Sequence, residues 1–167
     1  MPDLIIRPAR SRDFDAVAAL LKRSYSRQLA ADYPDDLLTR ALPVLTRPRP
    51  DLLSAPSYLV ALRDGALLAC GGWTRAAPQG GTGAGDVGHI RHVASDPDHL
   101  RQGIAGALIG AAIDQARDAG IRLLCCLSTR GAVPFYRALG FEGAAEIDLR
   151  LQPGLYFPAV EMRLALN

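Results

Sequence analysis

The strongest constraint on the fold is one uninterrupted strand–helix–strand run. Gly88 to Ser95 reads as a strand, and Ile104 to Ala119 reads as an Ala-rich helix. Gly120 stands at the position that suits a residue just past a helix end. Ile121 to Leu127 follows at once as a nearly continuous apolar strand, a pattern that belongs in the middle of a sheet covered on both faces. A chain built around this unit is committed to helices packed on a sheet.

The flanking segments complete the order. Leu4 to Arg7 reads as a short strand ended by Pro8, and Ser11 is placed to cap a helix over about Asp13 to Gln28. A shorter helix fits Asp35 to Leu42, and the Pro-rich stretch Pro43 to Pro56 reads as a loop or irregular turn. Tyr58 to Leu62 and Ala66 to Trp73 are apolar runs joined by Arg63-Asp64-Gly65, a hairpin signal. Ala76 to Gly85 has too little apolar bulk to offset its own ordering, so a mobile hairpin loop is expected there. A short helix over Ala132 to Leu139 is closed by Gly140, and Ala144 to Leu151 and Ala159 to Leu166 read as final strands. The order is that of an α/β (α+β) domain with mixed strand pairing. At 167 residues, one domain spanning residues 1–167 is expected.

Charge and cysteine usage narrow the function classes. The net charge of +2 argues against a polyanion-binding protein as such, so no nucleic-acid partner is expected, although it leaves room for a local basic patch. No apolar run approaches the ~20 residues of a membrane span, and the first residues lack a signal-peptide pattern, so a cytoplasmic protein with no membrane partner is expected. Cys70, Cys125 and Cys126 are odd in number and two are adjacent, which fits a reducing compartment, and Cys125 and Cys126 lie in an apolar run that suits plain packing. No Cys or His pair has the spacing of a zinc site, so no metal is expected.

Two segments carry chemistry. Between the strand ending at Ser95 and the helix at Ile104 lies Asp96-Pro97-Asp98-His99-Leu100-Arg101-Gln102-Gly103. A helix start leaves backbone N–H groups without partners and carries a partial positive charge, which diphosphate oxygens can satisfy where nothing bulky intervenes. Gly103, Ala105 and Gly106 leave that space and Arg101 adds a charge, although a Gly-rich helix start also serves tight helix–strand packing. No Lys-Ser/Thr follows the glycine, and the three-glycine dinucleotide spacing is absent. The second segment is Ala132-Val133-Pro134-Phe135-Tyr136-Arg137-Ala138-Leu139-Gly140-Phe141.

With that second segment the chain resembles the GNAT superfamily of acetyltransferases. In that family a short helix with an Ala, a Tyr four residues later and a terminal Gly-Phe follows the coenzyme-binding turn, and Ala132, Tyr136, Gly140 and Phe141 match it. The family's Arg/Gln-x-x-Gly-x-Gly/Ala motif maps onto Leu100 to Ala105. Two departures stand out: Leu100 replaces the usual first Arg or Gln, and Thr129 stands where many members have an Asn that contacts the pantetheine arm. Ile90-Arg91-His92 and Thr129 to Tyr136 look like a bacterial, functionally unassigned subgroup.

The resemblance implies a mixed sheet of six to seven strands with about four helices, and an N-acetyltransferase that uses acetyl-CoA as co-substrate. It implies that Val93, Ala94 and Ser95 pair with the pantetheine amides, and that Arg101, Gln102, Gly103, Ile104, Ala105 and Gly106 hold the diphosphate. Tyr136 would protonate the departing thiolate, the rival reading being a core aromatic. A backbone N–H near Val93 or Ala94 would meet the oxyanion. His92 is the candidate base or water anchor, and alternation puts it on one strand face with Ala94, opposite Val93 and Ser95. His89 and Ser95 lie in the same strand. His99, in the exposed turn, is assigned no role, and Asp96 and Asp98 read as a solvated turn and a cap. Tyr25, Tyr33 and Trp73 are expected to line the side of the amine acceptor, a small molecule or a peptide. Analogy with relatives that pair as dimers allows a homodimer. A non-catalytic acyl-CoA-binding regulatory module on the same fold is the alternative function.

Overall fold

The computed structural model describes residues 3–78 and 85–167. Seven strands form one sheet: β1 (Ile5–Pro8), β2 (Tyr58–Arg63), β3 (Ala66–Thr74), β4 (Val87–Ser95), β5 (Leu123–Ser128), β6 (Glu142–Gln152) and β7 (Leu155–Ala165). The helices are α1 (Phe14–Gln28), α2 (Asp35–Leu45), α3 (Pro50–Leu53), α4 (Ile104–Asp118) and α5 (Val133–Ala138). The sheet order is β1-β2-β3-β4-β5-β7-β6. Only β4 and β5 run parallel, joined through α4; the other neighbours are antiparallel. This is the mixed architecture expected of a GNAT fold, with one helix more than the sequence suggested. The loop expected at 76–85 falls largely outside the described residues.

Both faces of the sheet are covered. On one face α4 buries Ile104, Leu108, Ile109, Ala112, Ile113 and Ala116, a stripe at helical spacing. Tyr136 and Phe141 extend the same core along the sheet. On the other face α1 and α3 pack Val17, Leu20, Leu21, Leu52 and Leu53 over Tyr58, Val60, Cys70 and Ala94. α2 closes a third cluster with Leu29, Tyr33, Leu38, Ala41 and Phe157. The β2–β3 hairpin turns at Asp64 and Gly65, both at positive φ (53° and 77°), the backbone a two-residue hairpin turn demands.

The chain departs from its sequence pattern at two helix ends. Ser11 does not cap α1. It opens a 3₁₀ turn in which Asp13 accepts a hydrogen bond from the Arg10 N–H (2.7 Å) and pairs with Arg7 (2.7 Å). α2 runs past Leu42 to Leu45 with Pro43 inside it, and part of the expected loop folds as α3, which buries Leu52 and Leu53. Pro43 is exposed in the last turn, where few intrahelical bonds remain to be lost.

The parallel pairing is short. β4 and β5 are in register only from Val87↔Leu123 to His89↔Cys125. Beyond that point residues 90–95 of β4 and 126–128 of β5 have no ladder between them, so the sheet is split there.

Candidate active site

The split begins at a β-bulge. Cys70 pairs with Ala94 and Gly72 with Arg91, so His92 and Val93 together face the single residue Gly71. His92 takes the bulge conformation at φ 45°, a left-handed backbone that His adopts more readily than most residues. Its carbonyl accepts a hydrogen bond from the buried Tyr58 hydroxyl (2.9 Å). The neighbouring Gly72 carries no side chain because a Cβ there would collide with the Ser57 carbonyl.

Val93 and Ala94 pack on opposite faces, as expected, but the bulge shifts strand parity ahead of them. Simple alternation would put Ile90 and Ala94 on one face. Instead Ile90 and Val93 pack on the α4 side, while Ala94 packs on the α1 side. His92 lines both pockets of the site, and Ala94 lines one of them.

Two pockets meet at this point. The first, about 240 Å³, runs between β4 and β5 toward the start of α4; it is lined by His92, Val93, Ala94, Ser95, Leu100, Ala105, Thr129 and Tyr136, among others. The second, about 370 Å³, lies under the end of α2 and against β6 and β7. Tyr25, Ile90, His92, Leu127 and Thr129 line both.

At the far end of the first pocket, Gly103 caps α4 at φ 76° and Arg101 sits at φ 61°. A Cβ on Gly103 or Gly106 would meet no atom within 4 Å, so both face open space. Arg101, Gln102 and Gly103 are exposed, and of this turn Leu100 and Ala105 reach the pocket wall. The Gln102 side chain accepts from Arg63 (3.3 Å). The turn is anchored by Asp96, which is buried rather than solvated as its sequence context suggested. Its carboxylate accepts hydrogen bonds from the Asp98 N–H (2.8 Å) and Arg23 (3.0 Å), with His99 3.5 Å away. Burial opposes its ionisation, but these partners outweigh burial and hold the carboxyl below the usual carboxylate range.

The titratable groups are set by burial. His92 is pushed down to about 4, first by desolvation, then by Arg91 and Arg49, so its imidazole is neutral at physiological pH. Its Nδ1 is buried without a hydrogen-bond partner among the described residues. Tyr136 is raised well above 10 by burial and the nearby Cys126 thiol, which keeps its hydroxyl protonated. Tyr25, raised by burial, donates to the Val93 carbonyl (3.0 Å), and Gln28 donates to the Ser95 carbonyl (3.4 Å).

Two residues expected at the acceptor side are not brought there. Trp73 packs on the α4 face, its indole N–H donating to Gln115 (3.3 Å), and lines neither pocket. Tyr33 stacks on Phe157 (4.4 Å), donates to the Pro158 carbonyl (2.8 Å) and accepts from the Arg130 N–H (3.0 Å). It braces β7 and also lies outside both pockets. Conversely, sequence reading missed Arg47, Arg49, Arg91 and Arg150 in the second pocket, and Tyr58 behind the bulge. An arginine in the middle of a strand, between Ile90 and His92, was the available signal for Arg91. Among the described residues no group of His, Cys, Asp or Glu is arranged to hold a metal, and no helix is long and apolar enough to cross a membrane.

Comparison with known proteins places this geometry. The sequence model of the acetyltransferase (GNAT) family matches residues 14–141. An uncharacterised N-acetyltransferase of Methanocaldococcus jannaschii is 38% identical over 60 residues, covering 34% of this chain; the match spans only 26% of that protein. A GCN5-related N-acetyltransferase from Rhodopseudomonas palustris superposes with a TM-score of 0.78 at 20% identity, covering 99% of this chain and 96% of that one. A GNAT family acetyltransferase from Brucella melitensis, solved in complex with acetyl-CoA, gives 0.64 at 20% identity, covering 100% and 90%. At these identities the structural likeness is one of fold.

Proposed function

The chain belongs to the acetyltransferase (GNAT) family, and from that premise we propose that it transfers an acetyl group from acetyl-CoA to a primary amine of a small molecule or protein by direct attack in a ternary complex. The observation that carries this reading is the junction of two pockets at Tyr25, Ile90, His92, Leu127 and Thr129. One pocket reaches Leu100 and Ala105 beside the open glycines at the start of α4 and the other lies under the end of α2 against β6 and β7, so two substrates can meet at one point. We take residues 1–167 as one acetyltransferase domain acting in the cytoplasm.

In this proposal the diphosphate rests on the start of α4, held by backbone N–H groups from Gln102, Gly103, Ile104, Ala105 and Gly106, with Arg101 supplying charge. The open space at Gly103 and Gly106 supports that fit. Leu100 brings no charge, so the grip relies on the backbone. Val93, Ala94 and Ser95 run along the split where pantetheine would add like another strand. The carbonyls of Val93 and Ser95 already accept from Tyr25 and Gln28, so pantetheine N–H groups share or displace those bonds.

The chemistry needs a neutral amine, an oxyanion partner and a proton for the thiolate. His92, neutral near pH 7 and at the junction, takes protons from the attacking amine directly or through water. A backbone N–H at Val93 or Ala94 meets the oxyanion, in a site where such a donor is worth far more than in water. Tyr136 donates to the departing sulfur, whose thiol has a pKa near 8.5 in its free form. Its raised pKa ensures that the proton is present, and Phe135 and Phe141, edge-on to its ring at 5.1 and 5.5 Å, fix its orientation.

The test is thiol release from acetyl-CoA across a panel of amines, with Tyr136→Phe alongside. Turnover that falls about 10²- to 10⁴-fold in Tyr136→Phe is expected. An unchanged rate at every pH refutes the general-acid role. Binding without turnover on any amine or peptide would instead identify a non-catalytic acyl-CoA-binding module.

A further inference from the structure

We infer that the amine acceptor carries a carboxylate on a small apolar body, as an apolar or aromatic amino acid does, and that Arg91 with Arg47, Arg49 and Arg150 receives that carboxylate in the second pocket. The inference rests on the acetyltransferase reading of the junction and specifies its acceptor.

The charge distribution is one-sided. Among the described residues four arginines line this pocket and no Asp or Glu does. Arg91 is only 7% exposed, yet its guanidinium donates to the Thr74 hydroxyl (3.0 Å) and the Ala76 carbonyl (3.5 Å), neither of them charged. Elsewhere half-buried Arg63 reaches the Gln102 side chain, and six arginines, Arg7, Arg23, Arg27, Arg117, Arg130 and Arg163, each sit within 3.1 Å of a carboxylate. None of the four pocket arginines does so among the described residues. Residues 79–84, Gln-Gly-Gly-Thr-Gly-Ala, carry no acidic side chain that could supply the missing partner. Asp51 is the one acidic group that acts favourably on Arg91, from beyond ion-pair distance and outside the pocket lining. A buried guanidinium without a counter-charge is costly, and a bidentate carboxylate is the ligand whose geometry answers it.

The rest of the wall describes the body of the ligand. Val44, Leu45, Leu149, Leu151 and Phe157 line the pocket, and its volume suits a small molecule. A polyamine or a lysine-rich peptide would bring further positive charge to four arginines and is disfavoured. The same field serves the chemistry. The four arginines put a positive charge beside the junction, and His92, lowered first by burial, is lowered further by Arg91 and Arg49. A positive potential also disfavours the ammonium form of the acceptor and raises the fraction present as the neutral nucleophile. The balance is then complete: an N–C bond forms, the C–S bond breaks, coenzyme A leaves as its thiol, and one proton from the ammonium is released through His92.

The test compares L-leucine and L-phenylalanine with their decarboxylated counterparts, isopentylamine and phenethylamine, and with spermidine. Calorimetry on the full chain at saturating acetyl-CoA analogue measures binding, and thiol release measures turnover. The amino acids are expected to exceed the matching amines by about 10- to 100-fold in affinity and in kcat/KM, the range of one or two charge-assisted bonds. Arg91→Met should bring that ratio close to one through KM rather than kcat. Should Arg91→Met fold poorly, Arg150→Ala on the exposed rim is expected to lower the ratio in the same direction. Amines or spermidine that bind or react as well as the amino acids overturn the inference, as does absence of saturable amino-acid binding at millimolar concentration. Loss of acetyl-CoA binding itself would instead remove the acetyltransferase reading, so the two failures are distinguishable.

Discussion

Acidification should destabilise the protein through His92 before it reaches the carboxylates. The imidazole is pushed from its ordinary 6.5 to about 4, by burial first and by Arg91 and Arg49 next. A histidine with a depressed folded-state pKa binds fewer protons than the unfolded chain between these two values. Stability is therefore fully present above 6.5 and is lost as pH falls toward 4. The whole shift corresponds to about 3 kcal/mol, of which about 2 kcal/mol falls between pH 7 and pH 5. Asp13, Asp96 and Glu146, whose carboxyls are held low by their partners, lose their contributions only at lower pH. Urea unfolding at pH 7 and pH 5 measures the loss, with His92→Asn as comparison because Asn tolerates the left-handed backbone. The wild-type chain should lose about 2 kcal/mol more than His92→Asn over that interval. Equal losses in the two proteins, or an imidazole seen by NMR to titrate above pH 6, would refute the buried-neutral assignment.

Other expected outcomes test the frame around the site. Gly72→Ala forces a methyl group into the Ser57 carbonyl at the bulge and should cost about 1–3 kcal/mol in denaturant unfolding, the range of overpacking. Asp96→Ala removes the acceptor of the Asp98 N–H and Arg23 and should lower stability by about 1–3 kcal/mol while raising the KM for acetyl-CoA. Gly103→Val places a β-branched residue at φ 76° over the helix start; coenzyme affinity should fall by more than stability does. An unchanged KM in Asp96→Ala would disconnect the turn from coenzyme binding.

The parts of the fold set by local chemistry were legible in the sequence. Asp64-Gly65 has the residues a two-residue turn requires, and α4 has its apolar stripe and its Gly120 stop. The apolar run Ile121 to Leu127 marked a strand inside the sheet, but within β5 only its alternate residues Leu124 and Cys126 are buried, while Leu123, Cys125 and Leu127 are half-buried. The facing of β4 was not legible because it depends on one inserted residue. The bulge at His92 reverses parity within β4, so no alternation rule could place Ile90 and Ala94 on opposite faces. Trp73, paired with Ile90, is fixed on the α4 face by the same register. Pro43 and Asp96 misled because position decided over type. A proline in an exposed last turn breaks little, and an aspartate in a polar turn becomes buried once Arg23 reaches it from α1. The arginines of the second pocket are drawn from α2–α3, β4 and β6, a convergence that only tertiary structure creates.

In the proposed complex acetyl-CoA lies along the β4–β5 split with its diphosphate on the start of α4, and calorimetric titration of the protein and of Gly103→Val with acetyl-CoA tests this placement. Saturable one-to-one binding to the wild-type chain is expected, with a loss of about tenfold or more in the variant, as one or two displaced charge-assisted bonds would give. No heat of binding at millimolar acetyl-CoA, or equal affinity in a folded Gly103→Val, would contradict it.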